Sequence, residues 1–191
     1  MNAVQRLTSN WQFRGVGDEE WLPAVVPGCV HTDLLKNGKI PDPFHGTNER
    51  DLQWIDKRDW EYETTFDVTA EVLGESRVDL VFDGLDTYAD VTLNGERVLS
   101  ADNMFRTWRV EVKRLLKAAG NRLHIRFRSP INEDLPKLEK LGYPLPAAND
   151  QSENGGLGDR KVSVFARKAP YHYGWDWGPR FVTSGIWREA R

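Results

Sequence analysis

The stretch YADVTLNGERVLS, residues 88–100, alternates apolar and polar side chains on both sides of an Asn-Gly pair. In an extended chain, Val91 and Leu93 occupy one face while polar residues occupy the other. Asn94 and Gly95 tolerate the positive φ angles that a two-residue type I′ turn requires. The stretch therefore predicts a β-hairpin with one buried face.

The same period of two recurs in four further stretches of the chain. Each carries apolar residues at alternate positions, with charged or polar residues between them, which is typical of half-buried antiparallel strands. The stretches are WEYETTF (60–66), RVDLVF (77–82), TWRVEVKRLL (107–116) and RLHIRFR (122–128). Short strands separated by Gly- and Asn-rich turns predict an all-β fold, an antiparallel β-sandwich of the jelly-roll type.

One or two short helices are expected beside the strands. HTDLLKNGK (31–39) has Thr32 or Asp33 as an N-cap and ends in a glycine signal, which predicts a helix of about two turns. SPINEDLPKLEKLG (129–142) has a Ser-Pro start and a glycine stop. Pro136 inside it predicts a break or a late start.

The last third of the chain loses this regular alternation. Residues 142–161 gather Gly, Pro, Asn and Asp, which predicts a long loop. Short apolar runs then predict strands at 162–166 and 180–183. Between these two strands lies YHYGWDWGP, residues 171–179.

Composition excludes several classes of protein. The 191 residues carry 26 Lys and Arg against 29 Asp and Glu, and a net charge of −3 gives no general attraction to nucleic acid or to an anionic membrane. A single cysteine, Cys29, cannot form an intramolecular disulfide or a multi-cysteine metal site. Since no stretch suits a signal peptide or a membrane span, we expect one cytoplasmic domain over residues 1–191.

The stretch 171–179 combines four aromatic rings with one carboxylate. Aromatic rings stack on the C–H faces of sugars, and a carboxylate accepts hydrogen bonds from sugar hydroxyls. Trp175, Asp176 and Trp177 on a loop therefore have the chemistry of a carbohydrate site. The alternative is that both indoles anchor the core while Asp176 caps a turn.

The remaining candidate residues indicate no chemistry of their own. The histidines lack metal-ligand spacing; we expect His124 to be solvated and His31 and His45 to be structural hydrogen-bonding residues. Glu61 and Glu63 are expected to be exposed on a strand. Three aspartates are expected to form a turn: Asp83, Asp86 and Asp90. No nucleotide, dinucleotide, calcium or nucleophile-elbow motif is present, so neither a cofactor nor a metal is predicted.

Four longer stretches together carry a family resemblance. They are PGCVHTDLLKNGKIPDPFHGTNE (27–49), WIDKRDWEYETTF (54–66), FDGLDTYADVTLNG (82–95) and RKAPYHYGWDWGPRFVTSGIW (167–187). On these motifs the chain resembles, over nearly its entire length, the N-terminal domain of the β-mannosidases of glycoside hydrolase family 2. The third stretch is shared by many family 2 enzymes, whereas KAPYHYGWDWGPR is more particular to the mannosidase branch.

The resemblance implies a galactose-binding-like jelly roll, followed in complete enzymes by immunoglobulin-like sandwiches and a (β/α)₈ barrel. The barrel would carry both catalytic glutamates, so we expect no catalytic residue here and an inactive fragment. The implied reaction is retaining hydrolysis of terminal β-D-mannose. The expected partners are mannose-containing oligosaccharides and the barrel of the same chain, with no nucleic acid and no membrane.

The resemblance also implies residue roles. Trp175 and Asp176 would bind the substrate by contacting sugar hydroxyls at the cleavage subsite, and Arg180 would pair with a loop carboxylate. The supporting residues would be Tyr171, Tyr173 and Trp177. Two other interpretations stay open: a stand-alone lectin-like module, and a family 2 enzyme with another sugar specificity.

Overall fold

A computed structural model describes residues 3–191, which contain eight β-strands and four α-helices. The strands are β1 (Gln12–Gly15), β2 (Leu22–Pro23), β3 (Trp60–Phe66), β4 (Asp79–Phe82), β5 (Tyr88–Leu93), β6 (Glu96–Asp102), β7 (Trp108–Glu111) and β8 (Asn121–Arg128). The helices are α1 (Val30–Lys36), α2 (Asn48–Asp51), α3 (Ala70–Gly74) and α4 (Pro130–Leu141). No helix among the described residues is both long and apolar enough to cross a bilayer.

Six strands form one antiparallel sheet in the order β2-β1-β3-β8-β5-β6. The predicted hairpin is confirmed, because β5 and β6 pair across Asn94 and Gly95, whose φ angles are 51° and 90°. The predicted strand at 60–66 is confirmed as β3, which pairs along its whole length with β8. Local alternation and turn chemistry therefore predicted four of the six strands of the main sheet, β3, β5, β6 and β8, whereas β1 and β2 were not predicted.

A smaller layer lies against this sheet. It consists of the antiparallel pair β4–β7, and the last residues of the chain bond to β4 through Val81 N–H to Arg191 O (2.7 Å) and Asp83 N–H to Glu189 O (2.9 Å). Buried side chains of both layers form one core: Phe13, Trp60, Tyr62, Val91, Leu93, Leu123, Ile125 and Phe127 from the larger sheet, with Leu80, Phe82 and Trp108 from the smaller. The all-β antiparallel sandwich is thus confirmed.

The polar face of the main sheet is covered by paired charges. Glu61 accepts a hydrogen bond from Arg14 Nε at 3.0 Å and lies 2.6 Å from His124 Nε2. Glu63 is only 8% exposed and accepts from Arg122 Nε at 2.7 Å. The expectation of exposed glutamates and a solvated His124 is wrong, because neighbouring strands bring opposite charges alongside.

The helix at residues 31–39 is confirmed as α1, with a different N-cap from either candidate. Cys29 is the cap residue, and Thr32 lies at the third helical position, where its hydroxyl accepts from Cys29 N–H at 3.3 Å. Two short helices, α2 and α3, were not predicted. Thr69 caps α3 by accepting from Val72 N–H at 3.4 Å, so the sequence TAEV contained a signal for it.

Helix α4 runs through Pro136 without the predicted break. Its ends follow the sequence signals: Ser129 Oγ accepts from Asn132 N–H at 3.1 Å, and Gly142 closes the helix with a φ of 80°. An internal proline costs about 3 kcal/mol. Burial of Ile131 and Leu138 offsets this, since each buried apolar side chain contributes about 1.5–3 kcal/mol.

A second apolar cluster lies between α4 and the last third of the chain. Its buried members are Ile131, Leu138, Leu157, Val162, Tyr173 and Val182. The long loop of residues 142–161 packs into this cluster through Leu157, and the carboxylate of Asp150 accepts from Val162 N–H and Ser163 N–H at 2.9 Å each. The Trp-rich stretch therefore packs on this cluster, which includes Tyr173 and Val182.

Candidate functional site

The Trp-rich stretch lies in an irregular segment, residues 168–183, rather than between two strands. The predicted strand at 162–166 is wrong, because Ser163–Phe165 forms a turn of 3₁₀ helix. The predicted strand at 180–183 is also wrong, since these residues join no ladder. In this segment side-chain contacts replace backbone pairing, and only Pro170–Tyr173 forms a regular 3₁₀ turn.

Gln151 of the long loop clamps the segment just before its tip. Its backbone N–H donates to Tyr173 O at 2.9 Å, and its side-chain amide donates to Trp175 O. Gly174 between them has a φ of 112°, and a Cβ there would lie 2.7 Å from the side chain of Gln151. Glycine is thus required twice over, by its backbone conformation and by the close approach of Gln151.

The tip presents one carboxylate between two indoles. The rings of Trp175 and Trp177 are T-shaped, with centroids 5.6 Å apart and an interplanar angle of 76°. Trp177 is 82% exposed, and Asp176 is exposed with no hydrogen bond to its carboxylate from any described residue. The alternative of core indoles and a turn-capping Asp176 is therefore wrong for Trp177 and for Asp176, whereas Trp175 is half-buried.

Tyr173 and Arg180 lie beneath this tip. Tyr173 is fully buried in the second cluster, and its hydroxyl has no partner among the described residues. Arg180, also buried, donates from Nη1 to Asp56 Oδ2 at 2.5 Å and to Gln53 Oε1 at 2.6 Å. Burial raises the pKa of Asp56, and the Arg180 guanidinium opposes that rise. Arg180 thereby connects the segment to Gln53 and Asp56, which follow α2. That Tyr173 and Arg180 support a sugar site stays a prediction.

The base of the segment is closed by a buried cluster that sequence reasoning missed. Asp86, expected to form a turn, is 1% exposed and binds Lys168, which is 3% exposed. Thr183 Oγ donates to Asp86 Oδ2 at 2.7 Å and lies 3.2 Å from His172 Nδ1. The only local signal for this cluster was the pair Arg167 and Lys168 after the apolar run of residues 162–166, and a basic pair of this kind is too common to be informative.

Two histidines are kept neutral around this cluster. Burial, followed by the charge of Lys168, lowers the pKa of His172 to about 4. Burial also lowers the pKa of His31 to about 4, and its Nδ1 has no partner among the described residues. The expectation that His31 is a structural hydrogen-bonding residue is therefore wrong for that atom. Its ring instead packs at 5.5 Å from that of Phe181.

This arrangement can bind a polar ligand. The exposed carboxylate accepts hydrogen bonds, the adjacent indoles supply flat apolar faces, and the segment is fastened at its base, at its tip and on its far side. Two cavities, of about 430 and 550 Å³, are lined by residues outside the segment. No group of three or more potential metal ligands exists within residues 3–191.

Comparison with known proteins agrees with these features. The family described as glycosyl hydrolase 2 galactose-binding domain-like matches residues 11–188. Beta-mannosidase B of Aspergillus fumigatus is 42% identical over 198 residues, 100% of this chain and 22% of that protein. Beta-mannosidase B of Thermothelomyces thermophilus is 43% identical over 192 residues, covering 98% of this chain and 21% of that protein.

Solved structures give the same result. The crystal structure of β-D-mannosidase from Dictyoglomus thermophilum superposes with a TM-score of 0.86 at 43% identity, covering 97% of this chain and 22% of that one. The exo-chitosanase of Amycolatopsis orientalis, at 20% identity and a TM-score of 0.65, shares the fold. The chain spans about a fifth of the length of the relatives it matches. By its sequence and its sandwich, the chain belongs to the galactose-binding domain-like family of glycosyl hydrolase 2.

Proposed function

We propose that this chain is the sugar-facing N-terminal domain of a β-mannosidase, in which Trp175 and Asp176 bind the mannose unit that is cleaved. The observation that carries the proposal is the unpaired carboxylate of Asp176, exposed between two indoles on a segment that is otherwise fastened by hydrogen bonds. The names of relatives that are 42% and 43% identical over the chain support mannose as the sugar.

The chemistry of the tip suits binding rather than bond cleavage. Retaining hydrolysis requires two carboxyl groups on opposite sides of the glycosidic bond. We assign that pair to a further domain of the protein and assign hydroxyl recognition to Asp176. A carboxylate that accepts a hydrogen bond from a sugar hydroxyl, more strongly as the ring distorts, lowers the barrier as well as binding the ground state.

Replacement of Asp176 by alanine in the full-length protein tests this assignment. We expect Asp176→Ala to lower kcat/KM for an aryl β-D-mannoside about a hundredfold, which corresponds to the loss of one charged hydrogen bond of about 2–3 kcal/mol. Asp159→Ala removes an exposed carboxylate from the neighbouring loop and serves as the matched control, with kcat/KM unchanged. An Asp176→Ala enzyme as active as the control would refute the role of Asp176.

Two further measurements distinguish the proposal from the two other interpretations. The 191-residue chain alone should bind mannose too weakly for calorimetry at millimolar concentration, since one wall cannot offset the entropy lost on binding. Clear binding would favour the lectin-like module. Faster cleavage of an aryl β-D-glucoside, galactoside or glucosaminide by the full-length protein would favour another sugar specificity.

A further inference from the structure

The two ends of the segment that carries Trp175 and Asp176 both bind one buried carboxylate, that of Asp86. Asp86 lies between β4 and β5 in the sandwich, whereas Lys168 and Thr183 lie at the two ends of the segment. Lys168 Nζ donates to both oxygens of Asp86 at 2.5 Å and to Thr183 O at 2.7 Å. Thr183 Oγ donates to Asp86 Oδ2 at 2.7 Å. We call Asp86, Lys168 and Thr183 the base triad.

The base triad is almost sealed from water. The side chains of Lys168 and Asp86 are 0% and 2% exposed, and Thr87 donates a further hydrogen bond to the same carboxylate. A buried ion pair contributes little net stability, because desolvation of both charges opposes their attraction. Its stronger effect is on geometry: every ammonium proton of Lys168 has an acceptor on Asp86 or Thr183, so the two ends of the segment can close in only one arrangement.

The triad extends into the turn that precedes Trp175. The single hydroxyl proton of Thr183 goes to Asp86, because 2.7 Å is much shorter than the 3.2 Å to His172 Nδ1. Thr183 Oγ then accepts from His172 Nδ1–H, and this fixes the ring of His172 in the 3₁₀ turn Pro170–Tyr173. The charged or titratable groups that interact with His172 are Lys168, Asp86 and His31. One network thus reaches from the sandwich to His172, two positions before Gly174.

We propose that Asp86 and Lys168 are positioning residues, which act through the segment they close and set the orientation of Trp175 and Asp176 toward the sugar. The inference rests on the proposed function of Asp176. A buried carboxylate in the sandwich would thereby control a contact made at an exposed tip. A displacement of about 1 Å in such a contact is enough to cost a large fraction of its effect on rate.

A double-mutant cycle in the full-length protein tests the proposal. Asp86→Asn combined with Lys168→Met removes both charges while keeping the volume filled, so no charge is left buried and unpaired. We expect this variant to lower kcat/KM for an aryl β-D-mannoside by about 10- to 30-fold. In an Asp176→Ala background the same pair of changes should cost less than about twofold, because the contact it positions is already absent.

The control pair is Glu63→Gln with Arg122→Met. It removes another ion pair with a buried carboxylate, on the polar face of the main sheet, where neither residue bonds to the segment. We expect kcat/KM to change by less than about twofold, with or without Asp176. A loss for the Asp86/Lys168 variant that is equal in both backgrounds would overturn the positioning role and leave a merely structural one. No loss in either background would overturn it as well.

A second variant keeps the test decisive if the first does not fold. Thr183→Val removes only the hydroxyl that joins Asp86 to His172, and it preserves shape and the buried ion pair. We expect a three- to tenfold lower kcat/KM that disappears in the Asp176→Ala background. If Asp176→Ala itself has no effect, the proposed function fails. If it has its effect and neither variant couples to it, only the positioning inference fails.

Discussion

At the scale of single residues, the surroundings of a side chain determine its contribution to stability more than its residue type does. Tyr62 and Tyr173 are both fully buried. The hydroxyl of Tyr62 donates to Asp33 Oδ2 at 2.8 Å, whereas that of Tyr173 has no partner among the described residues. Burial raises the pKa of both phenols well above their usual value, so both stay neutral. The same side chain is therefore a satisfied donor in one core and an unsatisfied one in the other.

This contrast predicts opposite outcomes for the same substitution. Tyr173→Phe should leave the free energy of unfolding unchanged within about 0.5 kcal/mol or raise it, because an unsatisfied buried hydroxyl is removed. Tyr62→Phe should lower it by about 1–2 kcal/mol, because Asp33 loses a donor inside the core. Urea unfolding of both variants measures the difference. Equal losses would mean that Tyr173 has a hydrogen-bond partner in solution.

At the scale of elements, the segment of residues 168–183 shows how an irregular element is made rigid. It has no ladder of backbone hydrogen bonds, and it is fastened instead by Asp86 at its base, by Gln151 at its tip and by Asp56 on its far side. Each fastening residue lies in a different part of the chain. The geometry of the tip is therefore a property of the assembled sandwich rather than of the segment alone.

Gly174 is the position in the segment where a substitution is expected to be tolerated least. Gly174→Ala should lower the free energy of unfolding by about 2 kcal/mol, since alanine is strained at a φ of 112° and its Cβ would meet the Gln151 side chain at 2.7 Å. Gly178→Ala is the matched control, because its Cβ would meet only Trp175 Cβ at an ordinary 3.5 Å. Urea unfolding should show no more than about 0.5 kcal/mol for the control. Equal losses in the free energy of unfolding would show that Gln151 does not constrain the chain at Gly174.

At the scale of the whole molecule, the buried ionisable groups make stability depend on pH. The pKa of His172 is about 4 in the folded chain against an ordinary value of 6.5. Between these values the unfolded chain takes up a proton that the folded chain excludes, so acidification favours unfolding. Burial raises the pKa of Asp33, Asp56 and Asp134, and these groups act in the opposite direction.

Comparison of the unchanged protein with a His172 variant isolates the contribution of this histidine to the pH dependence of stability. The contribution of neutral His172 is fully present above pH 6.5 and falls by about 2–3 kcal/mol as the pH is lowered to 4.5. His172→Asn keeps a donor for Thr183 and cannot be protonated, so its stability should fall less over this range. Urea unfolding of both proteins from pH 7 to 4.5 measures the difference. Parallel curves would show that His172 is not shielded from protons.

The parts of the fold that could be predicted are those coded by neighbours in the chain. The period of two identified β3, β5 and β8, the Asn-Gly pair placed the hairpin, and Ser129 and Gly142 marked both ends of α4. The same local reasoning failed where the chain has apolar residues without a partner strand, at residues 162–166 and 180–183. The exposed Trp-Asp-Trp tip was identified as a candidate from residue chemistry, and the family resemblance assigned its role.

The local pattern of the sequence predicted β3, β5, β6 and β8 with their buried faces, because these features depend on spacing within a few positions. The residues of the exposed tip were identified from their chemistry, and the family from the resemblance of longer motifs. Only the tertiary structure decided how the tip is held. Asp86 and Lys168 are 82 positions apart, and Arg180 and Asp56 are 124 apart. Any of 29 acidic residues could have been their partner. The choice is made by burial, since a charge removed from water must find its counter-charge wherever the packed sandwich places one.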